Sequence, residues 1–212
     1  MSVAKDILKE NGKILLLAIG ILVVSIVGLT LLNKSNFTPN IMENNTNNLP
    51  NYTATIKTNM GDIEIDLLEK ETPNTVKHFV DLVKSGYYAN GGKGMIFHRV
   101  VKDFVIQTGD PTGTGMGGTK KYIDDEITTR KYTAYSVGMA RTNERNTNDT
   151  QFFLTVGSIG DPALQALDGN YTLFGVVISG QDVVDKIGAV EVDQNDKPLT
   201  PVKMDSIVIH ES

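Results

Sequence analysis

Few side chains in this sequence can do chemistry, and their types narrow the field before any fold is considered. The 212-residue chain has no cysteine and three widely separated histidines, His78, His98 and His210. Disulfides, thiolate metal sites, cysteine nucleophiles and lipidated cysteine anchors are therefore excluded, and no metal centre is expected from so little histidine. No G-x-S-x-G elbow, H-E-x-x-H helix or paired C-x-x-C occurs. What stands out is F-H-R-V-V-K-D-F-V-I-Q-T-G-D-P-T-G-T-G-M-G-G, Phe97 to Gly118. Read as two strands, its alternation puts Arg99 on the side of Phe97 and Val101, and Val105 on the side of Gln107. Arg99 is then a permanently charged hydrogen-bond donor among apolar neighbours. Taken alone, the same pattern fits an arginine snorkelling at a sheet edge.

Two further clusters carry less. Gly113 to Gly118 spells G-x-G-x-x-G, which cradles a pyrophosphate when a helix starts immediately afterwards inside a βαβ unit. Here T-K-K-Y-I-D-D-E-I-T-T-R follows, without helical period, so no nucleotide is expected. Asp124-Asp125-Glu126 could supply half a cation site, but an acidic run reads more readily as a solvated loop.

The elements that must position these residues are mostly strands. Y-T-A-T-I-K-T and G-D-I-E-I-D-L-L alternate apolar and polar residues around Asn59-Met60-Gly61, the pattern of a hairpin. Segments beginning at Gly94, Asp103, Ala134, Gln151, Tyr171 and Ser206 read as further short strands. About eight antiparallel strands can close into a barrel filled by its own side chains, so the fold class is mainly β with an eight-stranded closed antiparallel barrel. Two helices interrupt the strands. Thr72 reads as the N-cap and Pro73 as the first turn of one, with Val76, Phe79, Val80 and Val83 on one face and Gly86 ending it. The other carries Val183, Val184 and Ile187. Each is expected to cap one mouth of the barrel.

The first fifty residues differ in kind. Ile14 to Leu32 is free of charge and almost wholly aliphatic, and at about 1.5 Å per residue it spans roughly the 30 Å hydrocarbon core. It lacks the polar stripe of a core helix and the small-residue cleavage site of a signal peptide, so a retained anchor is expected. Lys5, Lys9 and Lys13 precede it and only Lys34 follows closely, which puts the N-terminus in the cytoplasm and the rest outside, as a single-pass cell-membrane protein. The expected organisation is a short cytoplasmic segment (1–13), a transmembrane anchor (14–32), an Asn-rich flexible linker (33–51) and a folded domain (52–212). The chain is 40% hydrophobic and 21% charged, as a globular domain requires, and carries a net charge of −5. That balance lacks the basic surplus of a nucleic-acid binder, so nucleic acid is not an expected partner.

The segment from Phe97 to Gly118 resembles the signature of the cyclophilins, barrel-shaped peptidyl-prolyl cis-trans isomerases. The likeness continues through S-V-G-M-A-R-T-N (Ser136 to Asn143), T-Q-F-F-L (Thr150 to Leu154), L-D-G-N-Y-T-L-F-G-V-V (Leu167 to Val177), D-V-V-D-K-I and P-V-K-M-D-S-I-V-I. These motifs run from Tyr52 to Glu211 in the family's order, and the whole chain looks like a membrane-anchored bacterial form. The resemblance implies that Arg99 is the catalytic arginine, with Phe104 and Gln107 beside it. Val105, Phe153, Leu167 and Tyr171 would complete the pocket for a proline ring. Ala140 and Arg141 match the segment whose backbone pairs with an extended substrate, and Gly113 falls in the neighbouring loop.

The implied activity needs no cofactor, metal or nucleotide. Its partners are proline-containing polypeptides outside the cytoplasm, and a non-catalytic proline-binding module or chaperone of the same fold is the alternative. Departures from the best-known members are Val105 where many have methionine, Tyr171 where many have histidine, Arg141, which could add charge to the groove, and a longer link from Tyr87 into the Arg99 strand. Ala166 stands where cyclosporin-sensitive members carry tryptophan, so weak or no cyclosporin binding is expected.

Overall fold

The computed structural model describes residues 50–89, 95–157 and 160–212. All belong to Asn44–Ser212, one of two units into which the chain divides. The expected cytoplasmic segment, the anchor at 14–32 and nearly all of the linker lie outside the described residues. Among the described residues, no helix is long and apolar enough to cross a membrane.

Among the described residues, nine strands and three helices follow one another as β1 (Tyr52–Thr58), β2 (Gly61–Leu67), α1 (Pro73–Lys84), β3 (Met95–Ile96), β4 (Arg99–Val101), β5 (Val105–Thr108), β6 (Ser136–Met139), β7 (Phe152–Thr155), α2 (Pro162–Gln165), β8 (Leu173–Ser179), α3 (Gln181–Gly188) and β9 (Lys203–Glu211). They form one antiparallel sheet in the order β3-β9-β1-β2-β8-β6-β7-β5-β4. The expected hairpin is β1–β2, where Thr58 faces Gly61 across Asn59 and Met60. Thr58 Oγ1 donates to the Gly61 carbonyl at 2.6 Å and accepts from Met60 N at 3.0 Å, closing the turn.

The eight-stranded, fully closed barrel needs correction. The stretch expected as one strand from Gly94 splits in two, because Met95 and Ile96 pair with β9 whereas Arg99 to Val101 pair with β5. The edges of the sheet, β3 and β4, are thus separated by only Phe97 and His98, so the sheet curls until one short stretch of chain touches both. Among the described residues, strand pairing does not join the two edges. Thr108 Oγ1, on β5, donates to the Ile96 carbonyl at 3.0 Å across the gap.

The inner face holds the core. Ile56, Ile63, Ile65, Val100, Ile106, Val137, Leu154 and Phe174 are all at most 1% exposed. Helix α1 buries Val76, Phe79 and Val80 as its period predicts, with Phe79 edge-on to Phe152 at 5.5 Å. Its last turn closes on Gly86, at φ +76, whose N–H reaches the Val83 carbonyl. Helix α3 buries Val183, Val184 and Ile187 in the same core and lies against β2, β4 and β5. The single-turn α2 was not anticipated, although Asp161-Pro162 is a start signal and the Asp161 side chain accepts from Ala163 N.

Candidate active site

Strand register builds the site. Arg99 on β4 faces Gln107 on β5, Gln107 faces Phe153 on β7, and Phe153 faces Gly138 on β6. Their neighbours Val100, Ile106, Leu154 and Val137 point into the main core, so this row lies on the opposite face of the sheet. Glycine is required at position 138, because a Cβ there would collide with the Phe153 ring and the Tyr132 hydroxyl.

Beside the row lies a second apolar cluster, separate from the main core. Val105, Tyr132, Phe153, Leu164, Leu167 and Leu173 are buried in it, and Phe104, Ala140 and Tyr171 pack against it half-covered. Six expected site residues therefore meet: Phe104, Val105, Ala140, Phe153, Leu167 and Tyr171. The Phe153 ring is stacked on Tyr132 at 5.9 Å and edge-on to Tyr171 at 6.0 Å, which fixes its plane. Burial pushes the Tyr132 hydroxyl well above its ordinary pKa, so it stays neutral.

Next to Gln107 opens a groove of about 540 Å³ between the loop carrying Gly115 to Tyr122 and the segment carrying Ala140 to Gln151. Gln107 Nε2 donates to Gln151 Oε1 at 3.0 Å, and Gln151 Nε2 donates to the carbonyls of Gly115 and Gly117 at 3.0 and 2.8 Å. Ala140 N donates to the Gln151 carbonyl at 2.9 Å. Gln151 thus ties the Arg99 row to both walls of the groove. It was not singled out from the sequence, where it is simply the residue before Phe152 in T-Q-F-F-L.

The glycine-rich loop is folded around a carboxylate. Asp110 is fully buried and accepts from the N–H groups of Thr112, Thr114, Gly115 and Gly117, and from the Thr112 hydroxyl. Burial alone would raise its pKa, but these donors outweigh it and hold the carboxyl at about 2. Gly115 takes φ +83, and a Cβ at Gly117 would overlap Asp110. Gly113, in the same loop as expected, packs over Ile96, while Gly115, Gly117 and Gly118 line the groove.

Arg141 also differs from expectation, because it adds no free charge to the groove. Its side chain is 8% exposed and lies 3.6 Å from Asp125. Its Nη groups donate to the carbonyls of Thr142, Asn143, Glu144 and Asn170. The guanidinium also covers the Tyr171 ring at 4.7 Å, so it braces a pocket wall from behind. The acidic run beside it is a loop in which Asp124 is exposed, as expected, but its other two carboxylates are paired. Asp125 pairs with Arg141 and Arg145, and Glu126 caps a helix.

His98, next to Arg99 in the chain and against Gly115 of the groove loop, is 7% exposed, and neither ring nitrogen has a hydrogen-bond partner among the described residues. Burial lowers its pKa, with Arg99 adding to the effect and Asp110 opposing it, so the ring is neutral at pH 7. Arg99 itself is 41% exposed, its Nε 3.6 Å from Asp196 Oδ2.

The model of the family described as cyclophilin type peptidyl-prolyl cis-trans isomerase/CLD matches residues 53–209. The chain belongs to this cyclophilin family. Among curated relatives, the isomerase CYP18-2 of Arabidopsis thaliana is 38% identical over 71% of this chain and 89% of its own. The isomerase ppi1 of Schizosaccharomyces pombe is 41% identical over 70% and 93%. A third, the isomerase-like 2 protein of Rhizopus delemar, is 42% identical, but the match spans only 28% of it. A crystal structure of a Cryptosporidium parvum cyclophilin superposes with a TM-score of 0.69 at 37% identity, covering 76% of this chain and 99% of that one. A second structure of that cyclophilin was solved in the presence of the dipeptide Ala-Pro. The cyclophilin described here is accordingly a peptidyl-prolyl cis-trans isomerase. These relatives are eukaryotic, so they lend nothing to the bacterial, membrane-anchored form.

Proposed function

We propose that Arg99 is the catalytic group of this cyclophilin, and that residues 14–32 hold it at a bacterial cell membrane, where it acts on proline-bearing chains folding outside the cytoplasm. The observation that carries the reading is the in-register row Arg99–Gln107–Phe153 beside the second apolar cluster.

The chemistry asks for this juxtaposition. A prolyl amide resists rotation by a barrier of about 18–20 kcal/mol because nitrogen shares its lone pair with the carbonyl. When the bond is twisted, that lone pair returns to nitrogen and can accept a hydrogen bond. Arg99 donates this bond without giving up its proton, since guanidinium stays charged at any physiological pH. Phe104, Val105, Phe153 and Leu167 grip the proline ring while the carbonyl side turns, and their apolar surface strengthens the donor by excluding water. Gln107 and Ala140 border the adjoining groove, where the substrate backbone runs. The flanking lysines and the uncharged length of Ile14 to Leu32 support the extracytoplasmic placement.

Exchange between cis and trans forms of a short X-Pro peptide, followed by NMR with the full chain in detergent, tests the reading. Arg99→Ala is expected to lose about 10²-fold of the acceleration, the usual cost of removing one transition-state donor. Peptide signals that broaden without faster exchange, equally with wild type and Arg99→Ala, would replace catalysis by a proline-binding module.

A further inference from the structure

We propose that Asp196 is a positioning residue for catalysis, fixing the plane of the Arg99 guanidinium before substrate arrives. The proposal rests on Arg99 being the group that meets the prolyl nitrogen. Asp196 lies in the turn from Asp193 to Lys197, nearly a hundred residues along the chain from Arg99, and no sequence pattern connects the two.

The turn is held rigidly and it is fastened to the arginine's own strand. Asp193 N donates to the Lys197 carbonyl at 2.9 Å and Asp196 N to the Asp193 carbonyl at 3.1 Å. The Asp193 carboxylate accepts from Asn195 N at 2.8 Å and Lys197 N at 3.1 Å. The Asp196 carbonyl then accepts from Val100 N at 2.7 Å, one residue beyond Arg99. Asp196 itself sits at φ +62, a left-handed conformation that aspartate and asparagine tolerate better than most residues. The carboxylate is therefore delivered to one place, 3.6 Å from Arg99 Nε.

That contact is an ion pair at Nε. Among the described residues Arg99 makes no hydrogen bond to protein through either Nη, which leaves both as donors for substrate. A long side chain otherwise loses rotamer freedom when it orders against substrate. Holding it beforehand moves that cost from the reaction to folding. The counter-charge also keeps the guanidinium paired when an apolar proline ring displaces water from it. Both partners are nearly half exposed, 41% and 45%, and an ion pair that exposed contributes little to stability. Its effect should be read in the rate.

The test uses the full chain in detergent, with Asp196→Asn, which keeps the turn and removes the charge, and Asp196→Gly, which suits the left-handed backbone and removes the side chain. Both are expected to lower kcat for peptide exchange about tenfold, with KM within about twofold and the thermal midpoint unchanged. Neither should lower the residual rate of Arg99→Ala further. The Arg99 Nε–H resonance should exchange slowly with water in the wild type and quickly in Asp196→Gly. A kcat within twofold of wild type in both variants would overturn the proposal, as would a raised KM at unchanged kcat or a loss that persists in the Arg99→Ala background. Should Arg99→Ala keep full activity, the catalytic reading of Arg99 fails, and an Nε–H signal unaffected by Asp196→Gly would overturn the pairing as well.

Discussion

At the scale of single residues, the site depends on buried charges that never touch substrate. Asp110 is the clearest case, since its carboxyl is held at about 2 by donors of the glycine-rich loop, two of which, Gly115 and Gly117, line the groove. A carboxyl depressed in the folded state stabilises the protein above the unfolded value, near 4, and that contribution is lost as pH falls toward 2. Asp110→Asn should therefore cost about 2 kcal/mol at pH 7. In urea titrations at several pH values, the gap between wild type and variant should close between pH 4 and pH 2. A second prediction concerns position 166, where Ala166 is exposed at the end of α2, one residue before the buried Leu167. With no large ring or N–H donor there, cyclosporin should inhibit weakly, and Ala166→Trp should tighten inhibition in a titration of the exchange rate.

At the scale of elements, helix α1 shows how a local signal can be right about place and wrong about mechanism. The helix begins after Thr72 with Pro73, as expected. Yet the Thr72 hydroxyl turns back to donate to the Leu68 carbonyl at 3.2 Å, and makes no cap. Glu126, from the loop before β6, takes that role. Its carboxylate accepts from Asn74 N at 3.1 Å, Asn74 Nδ2 at 2.9 Å and Thr75 N at 2.7 Å. A negative charge at a helix N-terminus also meets the positive end of the helix dipole. Glu126→Ala should cost about 1–2 kcal/mol in chemical unfolding. Because the same loop places Asp125 against Arg141, the variant should also loosen the brace behind Tyr171, read as faster amide exchange at Asn170 and Tyr171.

At the scale of the whole molecule, the described unit is self-sufficient in core and site. Every residue of the row and every buried residue of the second cluster comes from β4 to β8 and their loops. The matched segment is 93% of the Schizosaccharomyces pombe relative, so that protein is little more than this domain. Removal of residues 1–50 should leave the peptide exchange rate within about twofold, while the full chain, unlike the shortened one, should sediment with membranes after cell lysis. A tether acts by raising the local concentration of clients near the membrane, so a soluble peptide does not sense its loss.

The sequence by itself determined the family, the strands, the faces of both longer helices and most of the apolar pocket. Those follow from short-range periodicity and from motifs in a fixed order, which the chain carries in its own residues. What only the tertiary structure decided is how distant segments meet. That the strand from Gly94 splits and lets the sheet curl depends on partners more than a hundred residues away in β9. That Glu126 rather than Thr72 caps α1, that Arg141 is spent behind Tyr171, that Asp110 gathers the glycine loop and that Asp196 reaches Arg99 are all outcomes of hydrogen bonds and ion pairs made by loop residues. Such pairings have no period in sequence, because a buried polar group needs a partner close in space and is indifferent to where along the chain that partner arises.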